Sequence, residues 1–164
     1  MKKYEITGET KQIKFLSRTV TLHRIRAVVE VGLVKVGELG GWIENEENLS
    51  CDGNAWVYGN AKVCDNARVY GDAEVFLTSH ILVVGPIGSR NDFTTFFRDK
   101  DGEITVKCGC FLGKNDEFLE KVTATHGNSR HALVYRAAAE TAKLQIGSML
   151  NRMNSTRNPP LQMP

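Results

Sequence analysis

Residues 53–76 read GNAWVYGNAKVCDNARVYGDAEVF, four near-copies of one six-residue unit. A period this short restricts the fold more than any other property of the chain. Each unit runs Gly/Asp, Asn/Asp, Ala, a variable residue, Val, then Tyr, Cys or Phe. Ala55, Ala61, Ala67 and Ala73 form one column, and Val57, Val63, Val69 and Val75 another. Alanine and valine stand two apart, so on an extended strand they share a face. The residue between them (Trp56, Lys62, Arg68 or Glu74) points the other way, which parity assigns to solvent. The Gly/Asp and Asn/Asp positions supply corners that accept positive φ. An amphipathic helix needs apolar spacing near 3.6, which the repeat lacks. A strand this short cannot bury its alanine and valine alone, whereas stacked coils make those columns a continuous core. The expectation is a short β-solenoid, three units per coil and left-handed by analogy with other six-residue repeats. Ile43 and Leu49 upstream and Ile81 downstream extend the pattern loosely, giving about three coils over residues 37–90.

The flanks read differently. Residues 1–36 alternate apolar and polar in YEIT and TVTLHRIRAVVEV, predicting an N-terminal β cap. Gly37, Gly40 and Gly41 read as tight turns. After the repeats, ILVVGPIGSR is an apolar strand ending in a Gly/Pro turn, and DFTTFFRDKDGEITVKCGCF reads as a β-hairpin around Asp101-Gly102. KNDEFLEKVTATHG predicts a helix capped by Asn115 or Asp116 and ended by Gly127. A longer helix follows, capped by Asn128 or Ser129, with Leu133, Ala137, Leu144 and Tyr135 on its buried side. The expected fold is mainly β with C-terminal α, in four parts: cap 1–36, solenoid 37–90, hairpin and two-helix module 91–150, and a disordered tail 151–164.

Charge and cysteine content narrow the function classes. A formal net charge of +2 is too mild for a protein that wraps nucleic acid, and it excludes an acidic DNA mimic. No apolar run reaches the roughly 20 residues of a membrane span, and the start MKKYEITGETK carries no apolar core of a secretory signal. Cys51, Cys64, Cys108 and Cys110 read as free thiols of a cytoplasmic protein.

The stretch LHRIRAVVEVGLVKVGELGGWIENEENLS, followed by GNAWVYGNAKV, resembles a family of bacterial and phage or prophage proteins. These place a short β-solenoid behind that opening, and some are grouped with hexapeptide acyltransferases because of it. VVGPIGSRNDFTTFFRDKDGEITVKCGCFLG and the downstream THG resemble the C-terminal module of phage-borne members. The resemblance covers about residues 4–146 and implies a phage or prophage origin and residence in the host cytoplasm. Its motifs are specific for the family and silent about chemistry.

Four sets of residues are candidates for function. His80 follows the last clear repeat, where a hexapeptide acyltransferase would hold its general base. Cys108, Cys110 and His126, with His131 beyond, are a metal-ligand set, but C-x-C is not the C-x-x-C zinc knuckle, and packing of the cysteines is the favoured reading. Ser89, Arg90, Asn91, Thr94 and Thr95 gather hydroxyls and a guanidinium after a glycine-bearing turn, a pattern that suits phosphate oxygens without being a P-loop. Trp56, Tyr58, Tyr70 and Phe76 are the aromatic residues of the repeat and form a candidate partner surface, against which stands packing beneath the cap or the helices. The leading expectation is a non-enzymatic, homo-oligomeric binding protein without a cofactor. Its role would be counter-defence: binding a host defence protein or sequestering a phosphate-bearing nucleotide signal. Acyl transfer at a subunit interface and a structural or assembly role are the alternatives.

Overall fold

A computed structural model describes residues 1–147. The expectation of a disordered tail over 151–164 lies outside the described residues, as do residues 148–150 of the expected two-helix module. The described chain is mainly β with two C-terminal helices, and its sheets are one mixed, one antiparallel and one two-stranded parallel pair.

Strands β1 (Tyr4–Lys14) and β2 (Thr19–Ala27) form an antiparallel hairpin, paired from Tyr4 with Ala27 to Lys14 with Thr19. β3 (Leu39–Ile43) adds antiparallel to β2, so the segment expected to be tight turns is largely a strand. Its glycines serve close approach. A Cβ on Gly41 would stand 2.6 Å from Val57 Cγ1 and 2.7 Å from the Ala61 carbonyl oxygen, distances no side chain tolerates.

The repeats supply β4 (Trp56–Val57), β5 (Lys62–Val63) and β6 (Glu74–Val75), each of two residues. Their pairing is parallel. Ile43 lies beside Val63, Leu49 beside Val69, and Val57 beside Val75 three units further on. The expected inward columns are inward: no alanine or valine of either column is more than 4% exposed. They pack with Tyr4, Ile25, Ile43 and Phe97 in one core.

Trp56 contradicts the parity reading. It is 1% exposed, not a solvent-facing residue. The cap folds over it: Tyr4 meets its ring edge-on at 6.5 Å, and the Tyr4 hydroxyl donates to the Leu49 carbonyl at 3.0 Å. Lys3 is buried beside it, its ammonium donating to the carbonyls of Ala55 at 2.8 Å and Gly53 at 3.2 Å. Parity assigns a face, and only the tertiary fold decides whether that face is wet.

Beyond the repeats, β7 (Ile81–Ile87), β8 (Asp92–Arg98), β9 (Ile104–Cys108) and β10 (Phe111–Lys114) form an antiparallel four-stranded sheet in consecutive order. The expected hairpin is thus the centre of a larger sheet, and residues 81–87, assigned to the repeats, are hydrogen-bonded into it through β8. Asp99 organises the β8–β9 turn, accepting from the backbone N–H groups of Asp101 and Glu103 and from the Thr105 hydroxyl, and pairing with Lys114 at 2.7 Å.

Helices α1 (Asn115–His126) and α2 (Arg130–Ala142) cover one face of this sheet. Neither Asn115 nor Asp116 caps α1. Lys114 takes that position and Asn115 is buried as the first helical residue, while Glu117 reaches back to the Lys114 N–H at 3.3 Å. Gly127 ends α1 and Ser129 caps α2, as expected. The buried face of α2 is Ala132, Tyr135, Ala138, Ala139 and Ala142, whereas Leu133, Ala137 and Leu144, expected on that side, are exposed. Alanines let the helix lie close to the sheet, so small residues rather than the bulkiest ones mark its inner side.

Adjacent residues of β8 join the two cores. Phe96 faces the helices and Phe97 faces the repeats, because successive side chains of a strand point to opposite faces.

Candidate functional site

The alternation along β8 also divides the residues predicted to bind phosphate. Thr94 lies on the helix side, where its hydroxyl donates to Cys108 Sγ at 3.3 Å. Thr95 lies on the repeat side and accepts the Arg68 backbone N–H at 3.1 Å. Both are buried, and the two hydroxyls do not converge on one ligand. Asn91 adopts φ +47° and shapes the turn. Ser89 and Arg90, exposed in that turn, do line a cleft.

That cleft, of about 220 Å³, lies between the β7–β8 turn, the Gly109-Cys110 turn that joins β9 to β10, and the facing side of α1. Tyr135, Phe118 and Cys108 line it from beneath, and Phe111 and Lys121 from the side. Phe118 holds this lining together, meeting Tyr135 edge-on at 5.6 Å and Phe111 at 5.6 Å. Tyr135 is fixed by contact with Gly88: a Cβ there would stand 3.0 Å from Tyr135 Cε2 and closer still to Cζ and Oη. Gly88 also has φ +75°, which suits glycine alone.

Two cations border the cleft. Arg90 has no hydrogen-bond or ion-pair partner among the described residues, and Lys121 lies over the Phe111 ring at 5.7 Å. Asp92 is the acid in the lining. Burial pushes the Tyr135 phenol up to about 12, with the neighbouring Cys108 adding to the effect and Arg90 opposing it. A phenol held protonated donates a hydrogen bond and does not act as a base.

Cys108, Cys110 and His126 share this cleft, yet no group of three metal-ligating side chains is assembled among the described residues. Cys108 instead accepts from Thr94 and lies 3.9 Å from the Tyr135 hydroxyl. All four cysteines are free thiols. His131 is exposed and meets His126 edge-on, centroids 5.9 Å apart.

His80 is 7% exposed, and its Nδ1 accepts the Phe76 backbone N–H at 3.3 Å. Burial, with Arg98 nearby, lowers its pKa. The imidazole thus holds a turn, and an acceptor substrate has little access to it.

Neither a family model nor a curated protein matches the chain.

Of the four repeat aromatics, Trp56 is buried, and Tyr70 is half-buried beneath Lys107, whose ammonium sits 5.0 Å from its ring centre. Tyr58 and Phe76 stack at 4.3 Å with an interplanar angle of 14°, with Arg98 over Phe76. Phe76 and the adjacent Leu77 are both more than 40% exposed. The sequence reading found Arg90 through its glycine-rich turn and missed Lys121, whose place on a polar helix face carries no local signal. Among the described residues no helix is long and apolar enough to cross a membrane.

Proposed function

We propose that this is a non-enzymatic binding protein whose C-terminal module captures a small, phosphate-bearing ligand with a planar ring, of the nucleotide class. The observation that carries this reading is the pairing of Arg90, free of protein partners among the described residues, with Lys121 across a cleft lined by Phe111, Phe118 and Tyr135. A guanidinium fork and an ammonium suit phosphate oxygens, and the aromatic side chains suit a base. The repeats act as the scaffold. Their parallel pairing, Val57 beside Val75 and Leu49 beside Val69, supports successive turns of a short β-solenoid held under the cap. The resemblance to phage and prophage proteins supports reading this binding as counter-defence in a host cytoplasm, by sequestration of a signalling nucleotide. Catalysis is not favoured: His80 is buried with Nδ1 engaged, and the cleft's tyrosine is held protonated.

Isothermal titration with AMP and GMP tests the reading. Binding that falls at least tenfold in Arg90→Ala and in Lys121→Ala is expected, since each removes a charge-assisted contact worth about 1.5–3 kcal/mol. Absence of binding at millimolar nucleotide, or affinity indifferent to both substitutions, overturns it. The exposed Phe76 and Leu77, with Phe76 stacked on the half-buried Tyr58, favour a second reading, in which a protein partner or a second copy docks on the repeats.

A further inference from the structure

We infer that the ligand is a dinucleotide lying across the Gly109-Cys110 turn, one nucleotide in the cleft and the other laid over an adjoining shallow hollow that holds only part of it. This rests on the nucleotide reading above and adds the size and placement of the ligand. The cleft of about 220 Å³ falls short of the roughly 300–1,000 Å³ of pockets that enclose whole ligands. It takes one ring system and leaves the rest of a larger ligand to lie elsewhere.

A place for the remainder adjoins it. A hollow of about 70 Å³, room for a phosphate or a ring edge and not for a whole nucleotide, is lined by Asn66, Arg68, Phe93, Thr95 and Lys107, and shares Asp92 and Gly109 with the cleft. The two depressions therefore flank one ridge. Arg90 lies at that ridge: a Cβ on Gly109 would come within 3.8 Å of its Nη1. A guanidinium there faces the position of a phosphate that links two nucleosides. Each side repeats the same chemistry. The cleft offers Lys121 with Phe111 and Tyr135, and the hollow offers Arg68 and Lys107 with Phe93. Lys107 is held by donating to the Gly109 carbonyl at 2.6 Å, which fixes an ammonium beside the ridge. Among the described residues the Arg68 guanidinium is constrained by an exposed pair with Glu47 at 3.6 Å, a contact that a phosphate displaces at little cost. Asp92, common to both walls, disfavours phosphate at its own position and suits the amino or hydroxyl donors of a base or sugar.

Titration of the full chain with AMP, GMP, the linear and cyclic dinucleotides of adenine and guanine, and a twelve-nucleotide single-stranded RNA tests this. A dinucleotide is expected to bind at least tenfold tighter than the matching mononucleotide. Arg68→Ala and, separately, Lys107→Met should each lower the ratio of dinucleotide to mononucleotide affinity at least threefold, with circular dichroism reporting the fold. Equal affinity for mono- and dinucleotides overturns the inference and leaves the cleft reading standing. A ratio unmoved by both substitutions overturns it too. RNA binding tighter than every dinucleotide also overturns it, by making the ligand a nucleic-acid strand. Failure of every nucleotide to bind overturns this inference and the proposed function together.

Discussion

Replacing Gly88 by alanine isolates the contact that positions the cleft's tyrosine. Two separate costs apply. At φ +75° an L-residue occupies the left-handed region, at about 1–2 kcal/mol. The new methyl also overlaps the hydroxyl end of Tyr135, 3.0 Å from Cε2 and nearer to Cζ and Oη. Tyr135 is 8% exposed and wedged against Phe118, so relief requires the ring to leave its place. Overpacking of this kind costs about 1–3 kcal/mol. Gly88→Ala should therefore lose about 2–5 kcal/mol in urea unfolding followed by far-ultraviolet circular dichroism. Tyr135→Leu keeps an apolar side chain but stops short of the glycine. In that background Gly88→Ala should lose only the backbone cost of about 1–2 kcal/mol. The difference between backgrounds is the coupling, about 1–3 kcal/mol. Losses equal within about 0.5 kcal/mol in the two backgrounds would refute the claim that Tyr135 is what excludes a side chain at Gly88. The same displacement should weaken AMP binding, because the ring swings out of the cleft lining.

Two further outcomes are expected. Trp56→Ala should cost about 3–5 kcal/mol as a buried aromatic truncation, read by urea unfolding, whereas a solvent-facing tryptophan would change stability by less than about 0.5 kcal/mol. Lys3 is buried, and burial lowers its pKa to about 8, with Cys51 and Asp52 opposing the shift. Between that value and 10.5 the unfolded chain binds the proton that the folded chain has released, so Lys3's contribution is complete above pH 10.5 and is lost as pH falls through about 8. Stability measured from pH 7 to 11 should thus rise more steeply in the native protein than in Lys3→Met, and parallel curves would exclude the effect.

Sequence and structure divide the explanation along a physical line. The six-residue period was enough to place every alanine and valine of the repeat inside, because strand parity and the need to bury small apolar columns are local rules. Turn chemistry likewise marked Gly127 as the end of α1 and Ser129 as the cap of α2. Periodicity also set the variable residue apart from those columns, which read as exposure for Trp56, yet Trp56 is buried in the same core as the columns. That the opposite face is covered by Tyr4 and the β1–β2 hairpin depends on residues some fifty positions upstream, and no local rule carries that distance. The same holds for α2, where tight packing on the sheet selects alanines and leaves Leu133 outside. The glycine-rich turn drew notice to Ser89 and Arg90 from sequence alone. Thr94 and Thr95 looked equivalent there, but β8 is buried on both faces and sends one to each core. Lys121, Phe111 and Tyr135 line one cleft with Arg90 only because two hairpin turns and the sides of two helices come together in three dimensions. Side-chain type and spacing thus determined what each segment is able to be, and tertiary contact, which alone decides what water reaches, determined which residues are left to bind.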